Sequence, residues 1–528
     1  MKRNIKYFGY FLAIVGTVFQ SCKKDVLETI PNDRVSSEIY WKTEADARYA
    51  VNSIYANLDA TNLFVLDGIT EIGHTNTVFT VEYNIENGTY DASHSRIQTE
   101  WQNGYRSIFL ANYVLDNIDK IKTTNTTLIN QFKSEARVLR AYAYMKLAGL
   151  YGDVPLIKTT VTTAAGLTAT RTKVAEVWSF IDKELTDASA FLPNSFSGAD
   201  KGRVTKGTAL ALKARAALWS GDFATAASAA KSVMDLNVYN LIAEYGKLFT
   251  YANENSVEVV FDKQFLVGTN THNAFAFMGP YSQKSSGSTF VPTKDLADLY
   301  TMKNGKAITD ATSGFDPRNP YTNRDPRMRF TMYVDGDPLP SGIPFKPVPG
   351  MGGGDEIGKT QYNTTTGFSL KKYVSAEDFA NHVASGLNFI LMRYAEVLLT
   401  YAEAKIEQNQ IDATVYDAIN KVRTRSDVGL PALVSGMTQV ELRAAVRRER
   451  VLELAFEGIH LFDIRRWKTA QQVMTGSVRG ITYYTGTTPV TVVVPSVVKT
   501  FDPSKHYLWP IPQKEKTLNP ALGQNPGW

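Results

Sequence analysis

The chain has 528 residues, with 57 Lys and Arg against 52 Asp and Glu, a formal net charge of +5 and 11 % aromatic residues. So even a balance, with no recurring basic run, excludes the electrostatic footprint of a nucleic-acid binder. One cysteine excludes an internal disulfide, and the length is ample for a core without one. At the N-terminus, Lys2, Arg3 and Lys6 precede a run of thirteen uncharged, mostly apolar residues from Tyr7 to Phe19. As a helix that run spans roughly 20 Å, short of the roughly 30 Å hydrocarbon core of a bilayer. It reads as a secretory signal over residues 1–21, and the lone Cys22 behind Ser21 is placed for acylation after cleavage. The charge falls to +2 when Lys2, Arg3 and Lys6 leave. Residues 22–36, polar and carrying Pro31, read as a tether between the lipid and a folded body over 37–528.

Helical patterning dominates two stretches, about 37–236 and 388–528. Over 131–150, Ala136, Leu139, Ala143, Leu147 and Leu150 recur at steps of three and four, with Gly149 and Gly152 expected to end the helix. Segments 206–220 and 223–236 form the sharpest pair. Gly221-Asp222 joins them, and Phe223, Ala226, Ala230 and Val233 line one face of the second. Small residues at that spacing on antiparallel helices are the pattern of tetratricopeptide-type hairpins. A similar pair is predicted at 388–408 and 413–425. The two stretches must meet in space to build one scaffold. The fold class expected is therefore mainly α, with tetratricopeptide-like helical pairs and a loop-rich, short-strand insert at about 237–387. That insert holds ten of the 21 prolines between Pro280 and Pro349, a density that forbids long helices. Segment 59–100, with Phe64, His74, Phe79, Tyr83 and Tyr90, has the same loop character.

Chemistry-bearing motifs are weak. Residues 353–360 spell G-x-x-x-x-G-K-T, but a proline-rich segment precedes them and a Thr-rich one follows. A phosphate loop needs a strand before and a helix after, so the match is read as a decoy. Glu449, Glu453 and Glu457 share a helix spacing, and Glu449 with Glu453 suits a hydrolase pair in principle. Neighbouring Arg447, Arg448, Arg450, Arg465 and Arg466 favour an ionic network instead. The six histidines are scattered, with neither an HExxH nor a G-x-S-x-G sequence, so no catalytic residue, metal or cofactor is assigned.

Several ordered motifs resemble the SusD/RagB family. They are Cys22, Tyr40-Trp41-Lys42-Thr43, Trp101 with Tyr105-Arg106, Glu135-Ala136-Arg137 and Gly152-Asp153-Val154-Pro155. Asp325-Pro326-Arg327, Arg393-Tyr394-Ala395-Glu396, Tyr401-Ala402-Glu403-Ala404, Glu449-Arg450, Glu453-Leu454-Ala455-Phe456-Glu457-Gly458 and Asp463-Ile464-Arg465-Arg466-Trp467 follow. Trp509-Pro510-Ile511-Pro512, Asn519-Pro520 and Asn525-Pro526-Gly527-Trp528 close the chain. The resemblance implies a lipoprotein on the cell surface, a lid on a SusC-like TonB-dependent outer-membrane transporter, delivering a captured oligosaccharide. It implies binding loops near 70–90 and 270–330, whose candidates are His74, Asn76, Phe79, Tyr83, Phe277, Tyr281 and Phe290. All seven tryptophans lie outside 270–330, so a stacking platform must use Phe or Tyr. His460 stands where the family commonly has Arg, which bears on an internal ionic contact. The alternatives are a peptide binder with a charged cleft, a scaffold without a loop pocket, and a hydrolase with two carboxylates facing a cleft.

Overall fold

The structure is a computed structural model that describes residues 40–60, 63–76, 80–283 and 287–528. The signal segment 1–21, Cys22, the tether 22–36 and Phe79 lie outside the described residues.

Helices build the body. Helix α1 (Glu44–Ala56) starts at a reciprocal cap, Thr43 accepting from the Asp46 amide while Asp46 accepts from Thr43. It packs on α2 (Ser95–Asn117) and α3 (Thr126–Tyr151). Next come α4 (Val174–Ser189), α5 (Lys206–Ser220) and α6 (Phe223–Asp235), each against the one before. The Gly221-Asp222 turn behaves as its residues dictate. Gly221 takes φ +84°, the left-handed geometry that ends a helix, and Asp222 caps the next by accepting from the Thr225 amide at 3.0 Å.

After the insert, α7 (Tyr394–Glu407) packs directly on α6 and on α5, with α8 (Ala413–Arg423) and α9 (Gln439–Leu454) against its other sides. The two helical stretches therefore meet, and one buried cluster runs from Leu139 and Leu212 to Leu398 and Val446. Short α10 (His460–Arg466) follows.

Three boundaries differ from the periodicity. Gly149 lies inside α3, where a Cβ would stand 2.8 Å from the Phe462 ring; it admits that ring, and Gly152 at φ +72° ends the helix. Residues 389–393, predicted helical, form a strand, because the unbroken apolar run Phe389-Ile390-Leu391-Met392 is buried on both faces and pairs with Val259–Lys263. Helix α2 takes the end of the 59–100 loop segment, since His94 caps it through the Arg96 amide at 3.2 Å.

Strands are few and paired two by two: β1 (Gly73–Thr75) with β3 (Phe290–Pro292), β2 (Val259–Lys263) with β6 (Phe389–Arg393), β4 (Met332–Tyr333) with β5 (Ser369–Leu370), and β7 (Gly476–Thr485) with β8 (Thr488–Lys499), all antiparallel. Between α6 and α7 the described helices are no longer than six residues, as the proline density requires.

Candidate functional site

Pairing of β1 with β3 brings two distant loops to one edge. Beyond β1 the Asn76 amide donates to the Thr289 carbonyl at 2.8 Å, and Thr289 in turn donates to the Phe277 carbonyl at 2.7 Å. A third loop joins them. The Asn76 side chain donates to the Asn363 carbonyl at 2.8 Å and accepts from the Thr365 amide at 2.6 Å, while Ser288 donates to the Tyr362 carbonyl at 3.2 Å. Asp355 accepts from the Ser282 amide at 2.9 Å, tying this third loop down again.

On these loops the Tyr281 and Tyr362 rings stack, with centroids 5.6 Å apart and planes at 27°. Tyr362 is 43 % exposed and so is Phe277. Exposed aromatic surface on pinned loops, with backbone and amide groups around it, suits a ligand that has both apolar faces and hydroxyls.

Other predicted residues hold the face up from inside. His74 is 1 % exposed and its Nδ1 lies 2.8 Å from Glu86, which also accepts from the Thr75 amide at 2.9 Å and pairs with Lys499 at 2.9 Å. Burial pushes the Glu86 carboxyl up, but Lys499 and His74 outweigh it and bring it down to about 2. Asn76 is buried and spends its amide on the third loop. Phe290 is buried and packs where any side chain at Gly68 would collide with it. Tyr83 is half-buried, bonds the Ser496 carbonyl and packs on Val478, Val494 and Val497 of the hairpin. Of the predicted residues within the described ones, Phe277 and Tyr281 stand on the loops that meet at this edge, and Tyr281 stacks on Tyr362. Tyr362 was missed by sequence reading; its only signal was an aromatic in a Gly/Thr-rich loop.

The carboxylates proposed for a hydrolase lie elsewhere. Glu449 and Glu453 are fully buried. Glu453 receives Arg393 at 2.7 Å, Arg425 at 3.0 Å and Arg327 at 2.9 Å; Glu449 receives Arg327 at 2.6 Å and Arg423 at 2.8 Å. Glu457 binds Arg393 at 2.7 Å and Lys372 at 2.8 Å. Burial takes the Lys372 ammonium down to about 8 even beside Glu457. Three arginines around one buried carboxylate hold it in its ionised form far below the ordinary carboxylate range, which suits an ion pair and not a proton donor. The ionic network is the structural reading of those motifs.

The phosphate-loop match also dissolves. Residues 353–360 form turns with no helix behind them. Glu356 occupies the Gly350 and Gly352 amides at 2.5 and 2.9 Å, and the Lys359 ammonium folds back on the Gly353 carbonyl at 3.0 Å. The lysine a phosphate would need is thus already engaged, and no helix N-terminus follows the loop.

A larger cleft of about 970 Å³ opens between α9, α10 and the β7–β8 hairpin, with Arg447, Arg448, Arg479, Glu71, Asp295 and Asp298 on its walls. Each of these acids has its own cation: Asp295 pairs with Arg479, Asp298 with Lys294 at 2.8 Å and Glu71 with His460 at 2.7 Å. Burial alone lowers the His460 imidazolium, and the Glu71 carboxylate more than reverses this, so its proton is held more tightly. The internal contact expected of an Arg at 460 is thus made by an imidazole. Among the described residues no group of three metal-binding side chains occurs, and no helix is long and apolar enough to cross a membrane.

Fold and face together define the class: a helical-hairpin scaffold that presents an aromatic surface on irregular loops. The chain belongs to the SusD family, whose family model matches residues 257–528; a second model, described as starch-binding and associating with the outer membrane, matches 33–218. It is 26 % identical over 552 aligned positions to a SusD-like protein of Formosa agariphila, covering 100 % of both chains. A SusD-like carbohydrate binding protein from Bacteroides fragilis superposes with a TM-score of 0.86 at 27 % identity, over 92 % of this chain and 99 % of that one. A laminarin binding SusD-like protein shares the fold at a TM-score of 0.72 and 21 % identity, over 92 % of this chain and 100 % of that one.

Proposed function

We propose that this chain is a non-catalytic cell-surface binder of an oligosaccharide, which it hands to a SusC-like TonB-dependent outer-membrane transporter. The observation that carries the reading is the stacked Tyr281–Tyr362 pair, on loops tied by backbone bonds to the one that carries exposed Phe277. Sugar rings offer C–H faces to such rings and hydroxyls to the surrounding amides. Residues 1–21 serve as the signal, Cys22 carries the lipid, 22–36 is the tether and 37–528 the binding body. A single anchored lipid and a polar tether hold the body at the outer membrane without burying any of it.

Calorimetry and a glycan array with the soluble form lacking residues 1–22 test the binding. Oligosaccharide binding is expected, and Tyr281→Ala or Tyr362→Ala should each weaken it about tenfold, about 1.4 kcal/mol. No oligosaccharide bound, alongside tight peptide binding, sinks the reading. The charged cleft walled by Arg447, Arg448 and Arg479 favours peptide as the second reading, and a peptide whose affinity depends on Arg448 would establish it. Mass spectrometry of the membrane-extracted protein checks the anchor, and an unmodified Cys22 thiol removes it.

A further inference from the structure

Each ring of the Tyr281–Tyr362 stack is followed in the chain by a residue held in place, and both holds come from one dipeptide. Ser282 follows Tyr281. Its amide donates to Asp355 at 2.9 Å and its hydroxyl to the other oxygen of the same carboxylate. Asn363 follows Tyr362, and its side-chain amide donates to the Gly354 carbonyl at 2.8 Å. We infer that Gly354-Asp355 is a clip that sets the two rings against each other for an oligosaccharide, with Asp355 a positioning residue that acts through Ser282 and Tyr281. The inference rests on the oligosaccharide reading of that stack.

Asp355 is 2 % exposed and Ser282 takes both of its oxygens, so it lies behind the aromatic surface and not on it. Gly354 has to be small. A Cβ there would stand 3.0 Å from the Ser282 Cβ and displace the neighbour of Tyr281. Asn363 is buried, and its carbonyl also accepts from the Asn76 side chain at 2.8 Å. Both rings are thus held through the residue next to them.

Tyr281 is half-buried and covers one face of Tyr362, whose 43 % exposure leaves surface for a sugar ring. A lone pair of half-exposed rings is too weak to order two loops by itself. The clip orders them before the ligand arrives, and that ordering cost is then absent from binding.

Hydrogen exchange read by mass spectrometry tests the clip without a ligand. Asp355→Ala should speed exchange of the segment around Ser282 about tenfold. Asp355→Asn keeps an oxygen for the Ser282 amide and offers its own amide to the hydroxyl, so it should stay near the wild type. Calorimetry of the soluble chain with maltohexaose and laminarihexaose tests the role in binding. Asp355→Ala should weaken affinity about tenfold, and Asp355→Asn should restore it. Because Asp355 acts through Tyr281, the double variant Asp355→Ala/Tyr281→Ala should bind no more weakly than Tyr281→Ala alone. Unchanged exchange or unchanged affinity in Asp355→Ala overturns the inference. So does a double variant whose losses multiply to about a hundredfold. A wild type that binds neither glucan counts against the oligosaccharide reading instead, and the exchange result still decides the clip.

Discussion

Glu86 is a carboxylate with no exposure, held by Lys499, His74 and the Thr75 amide, so it joins β1, the short helix Tyr83–Glu86 and the end of β8 at one point. Its folded value of about 2 lies below the ordinary 4.5. The ionised form is therefore favoured by folding. The stabilisation is complete above about pH 5 and is lost as the pH falls toward 2, about 3 kcal/mol in all. Chemical denaturation between pH 6 and pH 3 should show a smaller fall in stability for Glu86→Gln than for the wild type, the remainder belonging to the other paired carboxylates such as Glu453 and Glu457. The variant itself should be about 3 kcal/mol less stable at pH 7, because it leaves Lys499 buried and unpaired. Glu453→Gln carries the same logic further. Three guanidinium groups lose one shared anion, and a loss of about 3–5 kcal/mol is expected by urea denaturation. A catalytic role for Glu453 would leave stability unchanged, so this measurement also separates network from active site.

At the scale of elements, the α5–α6 hairpin is the unit that repeats the scaffold, and its turn is the most exposed to substitution. Gly221→Val puts a β-branched side chain at φ +84° and should cost about 1–2 kcal/mol, read as a lower melting temperature. Asp222→Ala removes the cap on Thr225 and should cost about 1 kcal/mol. Both residues were legible in the sequence, since turn and cap chemistry is local. Strand β6 was not. An apolar run of four is compatible with a buried helix or a buried strand, and only the partner β2 decides between them. Gly149 failed for a related reason. Its function is to admit the Phe462 ring, and nothing in its own neighbourhood announces a residue three hundred positions away.

Over the whole molecule, α6 against α7 makes the two helical stretches one body, with the main core cluster running across both. Calorimetry should therefore record one cooperative transition; two resolved transitions would show that the stretches fold apart. The aromatic loop surface follows the opposite rule to the scaffold. It exists because β1 pairs with β3 across more than two hundred residues and Asn76 ties a third loop to them. By itself the sequence determined the helical class, the hairpin turns, the ionic character of Glu449, Glu453 and Glu457, and the emptiness of the phosphate-loop match. Each of those is written in spacing, capping or flanking composition, which act over a few residues. Tertiary structure alone decided that His74, Asn76 and Phe290 are buried supports, and that Tyr281 finds its stacking partner in Tyr362. Exposure and long-range pairing are properties of how distant segments pack, and no local pattern encodes which neighbour a side chain will meet.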